Sequence, residues 1–71
     1  MKALNIGDKI VPKYIHPRDK KEWDRRCFVD SNIGLKYAII YDIETYCVFC
    51  KDKKRKIWCF DIDNISVLEG K

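Results

Sequence analysis

The sequence predicts a mainly β chain, a single small barrel or closed sandwich of five or six short antiparallel strands spanning residues 1–71. Three observations carry this. Short runs rich in β-branched and aromatic residues recur along the chain, separated by Gly, Asn, Asp and Ser, at the regular spacing typical of all-β folds. No segment longer than about ten residues sustains a helical period of apolar positions. Finally, 71 residues, 46% hydrophobic and 37% charged, allow one modest core, because a chain this short buries only about 60% of its unfolded surface.

The elements follow in order. Gly7-Asp8 supplies turn geometry ahead of the β-branched pair Ile10-Val11. Pro12 cannot donate to a ladder, so this first strand is expected at an edge or bulged there. Residues 16–26 place five bases and three acids around a single Trp23. They read as a long charged loop with room for one short helix, Pro17 standing at a permitted first helical position. Such a helix is marginal alone, so packing by Trp23 has to hold it. Cys27-Phe28-Val29 is a short strand ended by Asp30-Ser31-Asn32 and Gly34. Tyr37–Tyr41, Glu44–Lys51 and Lys56–Asp61 are the strong strands, the last two joined by a polar hairpin. One helical turn over Asp61–Asn64 precedes a closing strand at Ile65–Leu68.

The order of these parts resembles the SH3-like small β-barrel. Ile6-Gly7-Asp8-Lys9-Ile10 looks like the hydrophobic-Gly-Asp-x-hydrophobic start of the first strand in many such barrels, and Gly34-Leu35-Lys36-Tyr37-Ala38-Ile39 like the start of a central strand. Tyr46-x-Val48, the charged hairpin, Trp58-x-Phe60 and Ile65-x-x-Leu68 match the remainder. The pattern is similar to short proteins of bacteria and their phages. A phage or mobile-element factor acting on a host protein fits the resemblance. Barrels of this kind bind proline-rich peptides, RNA, DNA or other proteins, so the likeness alone selects none of these. The acidic-aromatic signature of proline-motif binders is missing.

Alternation sorts the strong strands into faces. Tyr37, Ile39 and Tyr41 oppose Ala38 and Ile40; Tyr46, Val48 and Cys50 oppose Cys47 and Phe49; Trp58 and Phe60 oppose Ile57 and Cys59. Both faces are apolar. One lines the core, and the other is either covered by loop 16–26 or open as a contact surface. Cys47-Val48-Phe49-Cys50 has the gap of a zinc knuckle, with Cys27 and Cys59 as further thiols. Tetrahedral zinc needs convergent sulfurs, whereas positions 47 and 50 of an extended strand point to opposite faces. The cysteines are therefore read as small hydrophobes, with no metal and no cofactor. Whether Cys47 and Cys59 are neighbours depends on the hairpin register, which the sequence leaves open. His16, the single histidine, has no nucleophile–base constellation around it, and there is no Gly-rich phosphate loop. The chain is read as not an enzyme.

Residues Met1–Ile10 contain no signal-peptide pattern. The uncharged apolar stretch Tyr37–Tyr41 falls far short of the roughly 20 residues needed to cross a bilayer. A cytoplasmic protein with reduced thiols and no membrane partner is expected, as monomer or homodimer. The net charge is +4, and positions 51–56 alone, five bases less one acid, carry as much. Two binding expectations result. The leading one is a protein partner docked on exposed aromatics, with Trp23, Tyr14, Tyr46 and Phe49 as candidates. The alternative is RNA or DNA held by Lys51, Lys53, Lys54, Arg55 and Lys56, provided that the hairpin tip and loop 16–26 lie on one side.

Overall fold

A computed structural model describes residues 3–68; the single domain expected over 1–71 also includes positions 1–2 and 69–71, which lie outside the described residues. The chain is mainly β. Its strands are β1 (Lys9–Pro12), β2 (Phe28–Asp30), β3 (Leu35–Ile43), β4 (Cys47–Lys51), β5 (Ile57–Asp61) and β6 (Ile65–Val67), with helix α1 (Pro17–Arg26) and a 3₁₀ turn (Ile62–Asn64) between them. All pairings are antiparallel, in the order β5-β4-β3-β1-β6, with β2 added against the start of β3.

The turn before β1 works as the sequence suggests. Gly7 adopts φ 97°, a conformation that favours glycine. Its N–H donates to the Ile40 carbonyl at 2.8 Å, while Ile40 N–H donates to the Asp8 carbonyl at 2.9 Å. The turn is thereby fastened to β3. Contrary to expectation, β1 is not an edge strand, because it lies between β3 and β6. Pro12 is tolerated for a local reason. The β3 pairing involves only Lys9 and Ile10, so at Pro12 the sole ladder partner is Ile65 of β6.

Within segment 16–26, Pro17–Arg26 form the short helix for which the sequence leaves room, ten residues long, with His16 as its N-cap. Pro17 occupies the first turn, His16 Nδ1 accepts from Arg18 N–H at 3.2 Å, and Arg25 and Arg26 sit favourably in the last turn. Local signals of this size do not stabilise so short a helix in isolation. Trp23 does. It is 3% exposed and meets Trp58 and Phe60 edge-on, with ring centroids 5.3 and 5.7 Å away. The helix thus covers one face of the sheet, and the core is Ile10, Trp23, Cys27, Ala38, Ile40, Val48, Cys50, Trp58, Phe60 and Ile65. Among the described residues no helix is long and apolar enough to cross a membrane.

Replacing Trp23 with Ala is expected to cost roughly 3–5 kcal/mol, measured by urea unfolding, with helical and aromatic circular dichroism lost in one transition. A cost below about 1 kcal/mol would show that the helix is held by something other than this indole.

Candidate functional site

Asp52 opens the loop after β4 and is 2% exposed. Its Oδ1 accepts from the backbone N–H groups of Lys54 at 2.8 Å and Lys56 at 2.9 Å, which orders the loop from within. Its Oδ2 accepts from Trp58 Nε1 at 2.9 Å and Arg26 Nε at 3.0 Å. Burial alone pushes the Asp52 carboxyl up. The donors at Trp58, Lys56, Arg26 and Lys54 outweigh it and hold the group below the ordinary carboxylate range.

This one side chain joins the hairpin to the end of α1, and two further contacts reinforce the joint. Lys53 N–H donates to the Arg26 carbonyl at 2.8 Å, and Lys56 Nζ pairs with Glu22 at 2.8 Å while lying 4.7 Å from the Trp58 ring centroid. The Lys56 hydrogen bond holds the Glu22 carboxyl below its usual value. The hairpin tip and segment 16–26 therefore do lie on one side.

The joint also sorts the charges. Glu22 pairs with Lys56, Asp24 with Lys20 (2.9 Å) and Lys36 (3.4 Å), and Asp52 with Arg26. Lys53, Lys54 and Arg55 are exposed at the tip, as is Arg25 at the end of α1. None of these four has a carboxylate within 4.0 Å among the described residues. Lys51 extends the charge onto the sheet face remote from α1, its Nζ 4.9 Å from the Tyr41 ring centroid.

That outer face carries the other half of the site. Register places Lys9, Ile39, Lys51 and Ile57 in one row across four strands. On one side of the row Phe28 stacks on Tyr37 (5.4 Å, 18°), with Lys9 Nζ 5.1 Å from the Tyr37 centroid. On the other side Tyr41 and Phe49 meet at 6.3 Å. Of the residues expected to dock a protein, Trp23 has to be corrected: it is core, not surface. Tyr14 and Tyr46, 63% and 82% exposed, flank the 3₁₀ turn through hydrogen bonds to Asn64 and Ile62, and Phe49 lies on the outer face. These four do not form one surface, whereas Lys53, Lys54, Arg55 and Lys56 of the basic set are gathered beside α1 and Lys51 stands on the outer face. Lys9, Phe28, Tyr37 and Tyr41 escaped selection from sequence. Alternation does show Tyr37 and Tyr41 sharing a face, but pairing them with lysines on β1 and β4 requires the register.

The hairpin register also resolves the thiols. Cys47 faces Asp61 and Phe49 faces Cys59, with five residues in the connection. Cys47 and Cys59 are therefore diagonal neighbours on the outer face, while Cys50 points inward. All four cysteines are free. Burial raises the Cys27 and Cys47 thiols, the latter also through a hydrogen bond with Cys59, and pushes Cys50 up to about 12. Among the described residues no group of three or more His, Cys, Asp and Glu side chains is placed to hold a metal.

No protein-family model, curated protein or solved structure matches the chain.

Three outcomes are expected. Asp52→Ala should cost roughly 3–5 kcal/mol, because it strands the buried indole N–H and the loop amides. Asp52 contributes stability above its unfolded pKa of about 3.9 and loses it as pH falls through its lower folded value. The stability gap between the wild type and Asp52→Asn, read by urea unfolding, should accordingly be widest above about pH 5 and narrow in acid; a gap that does not change with pH would contradict the assignment. Separately, an alkylating reagent at mildly alkaline pH should modify exposed Cys59 first, leaving Cys27 and Cys50 intact until the protein unfolds. Early modification of Cys50, followed by mass spectrometry, would contradict its burial.

Proposed function

We propose that this chain is a non-enzymatic interaction module that binds nucleic acid through the side formed by hairpin 51–56 and the end of α1. The observation that carries the reading is the Asp52 joint. It holds the hairpin against the helix and engages the carboxylates there, so that Arg25, Lys53, Lys54 and Arg55 face solvent together. Phosphates are the natural counterpart of such a cluster, because neutralising them releases condensed counterions. An SH3-like reading of the domain is supported by the strand order and by the single 3₁₀ turn before the last strand, and that architecture accommodates nucleic-acid binders. Exposed Ile57, with half-buried Ile39 and Phe49 beside it, favours a second reading, a protein partner on the outer face.

The test is a titration of fluorescent oligonucleotides at two salt concentrations. Three to four phosphate contacts predict a loss of roughly 50-fold in affinity between about 50 and 200 mM salt. The triple variant Lys53→Glu, Lys54→Glu, Arg55→Glu should abolish binding while its thermal melt stays close to that of the wild type. Binding that ignores both salt and this variant, or no binding at low salt, would sink the proposal.

A further inference from the structure

We infer that the outer face of the sheet is a stacking platform for single-stranded nucleic acid, with bases on the rings of Phe28, Tyr37, Tyr41 and Phe49 and phosphates on Lys9 and Lys51. This rests on the proposal that the basic side binds nucleic acid, and it names the form of nucleic acid and the surface that reads it.

The geometry suits flat ligands. Two aromatic pairs stand on either side of a row that contains two lysines. Tyr37 and Tyr41 are four positions apart on β3, on the order of 10–13 Å at strand rise, so the two pairs serve separate bases. Each lysine ammonium lies over a ring, 5.1 Å from the Tyr37 centroid for Lys9 and 4.9 Å from the Tyr41 centroid for Lys51. A solvent-accessible contact of this kind holds ring and lysine together only weakly. An arriving nucleotide can exchange it for two better ones, the base taking the ring face and the phosphate taking the ammonium. Lys51 is also the first residue of the basic segment, so the platform continues directly into Lys53, Lys54 and Arg55.

The form of the ligand follows from which part of it is flat and accessible. In a duplex the base faces are stacked on one another, and only edges and phosphates reach a protein surface. In a single strand every base offers a π-face, and stacking on aromatic side chains tolerates any sequence. A protein partner fits this face less well. Lysine is depleted at protein interfaces, whereas here Lys9 and Lys51 stand among the rings.

The experiment compares a single-stranded pyrimidine 12-mer with a duplex of the same length, by fluorescence anisotropy at low salt. The wild type should bind the single strand more tightly. Tyr37→Ala and Tyr41→Ala should each weaken single-strand binding on the order of 5- to 100-fold, with the salt slope unchanged and duplex binding unaffected. Tyr41→Phe should restore binding, since the ring and not the hydroxyl stacks. Tyr41 is 39% exposed, so its variants should fold, and Phe49→Leu provides a second removal of an aromatic face at similar bulk. Equal affinity for duplex and single strand would overturn the inference while leaving the basic-side proposal standing, as would ring variants without effect alongside a Lys53/Lys54/Arg55 variant that fails to bind. Failure of the wild type to bind either oligonucleotide would remove both. Self-association abolished by Tyr41→Ala, with no oligonucleotide bound, would give the face to protein contact instead.

Discussion

The structure turns on a carboxylate that the fold buries and then satisfies completely. Asp52 receives two backbone amides from its own loop, an indole N–H from the strand that follows, and a guanidinium from the helix. Each donor belongs to a different problem of folding. The amides decide the shape of the five-residue connection, the indole positions Trp58 in the core, and Arg26 ties down the end of α1. A buried charge without such partners would be costly. With them it becomes a four-way fastener, and among the described residues no buried side-chain polar atom is left without a partner. Arg55, at φ 72°, is the non-glycine residue held in the left-handed region within this loop. Its N–H donates to the Asp52 carbonyl at 3.0 Å, so the same residue that anchors the side-chain network also holds the strained position.

Because the helix is fastened at this corner and plugged by Trp23, it occupies one face of the sheet, and among the described residues no helix covers the other. Strand alternation then dictates two populations. Val48, Cys50, Trp58 and Phe60 turn inward, while Cys47, Phe49, Lys51, Ile57, Cys59 and Asp61 turn outward. The outward group mixes rings, thiols and charges in a way a core would not accept. Electrostatics and stacking meet at Lys51, which ends β4 on the outer face at the point where the basic hairpin begins.

Much of this was legible in the chain. Gly7-Asp8, Pro17 and the alternation of β4 and β5 are local signals, and each lies where those signals put it, while the polar break read at 52–55 extends one residue further, to Lys56. Trp23 was legible as the residue on which the helix depends, though its burial removes it from the surface where a binding role had placed it. The length of α1 was less clear, since ten residues with no sustained apolar stripe give little helical signal, and it is the two rings of β5 that stabilise them. The position of β1 inside the sheet was obscured by Pro12, whose cost vanishes because β3 has already stopped pairing there. The Asp52 network was hidden for a plainer reason. An aspartate before lysines in a turn reads as solvated loop, and only the tertiary approach of Arg26 and Trp58 makes it a buried hub. The aromatic platform needs cross-strand register, which depends on a loop length that composition does not specify.

One irregularity lets the two faces coexist. The β3–β4 ladder runs Ile39 to Lys51 and Ile40 to Cys50, then resumes at Asp42 to Phe49 and Ile43 to Val48. Tyr41 is the extra residue of a bulge. In an unbroken strand Ile40 and Ile43, three positions apart, would point to opposite faces. The bulge returns Ile43 to the core side, where it packs against the buried cluster, and leaves Tyr41 outward beside Phe49 and Lys51. Bulges also bend the strand and increase its twist, which turns this end of β3 relative to the Phe28–Tyr37 end. The inserted residue thus serves the core and the outer surface together. It completes the hydrophobic packing with an isoleucine that simple alternation would have exposed, and it leaves beside the basic row a ring that simple alternation would have paired with Phe49 across the ladder.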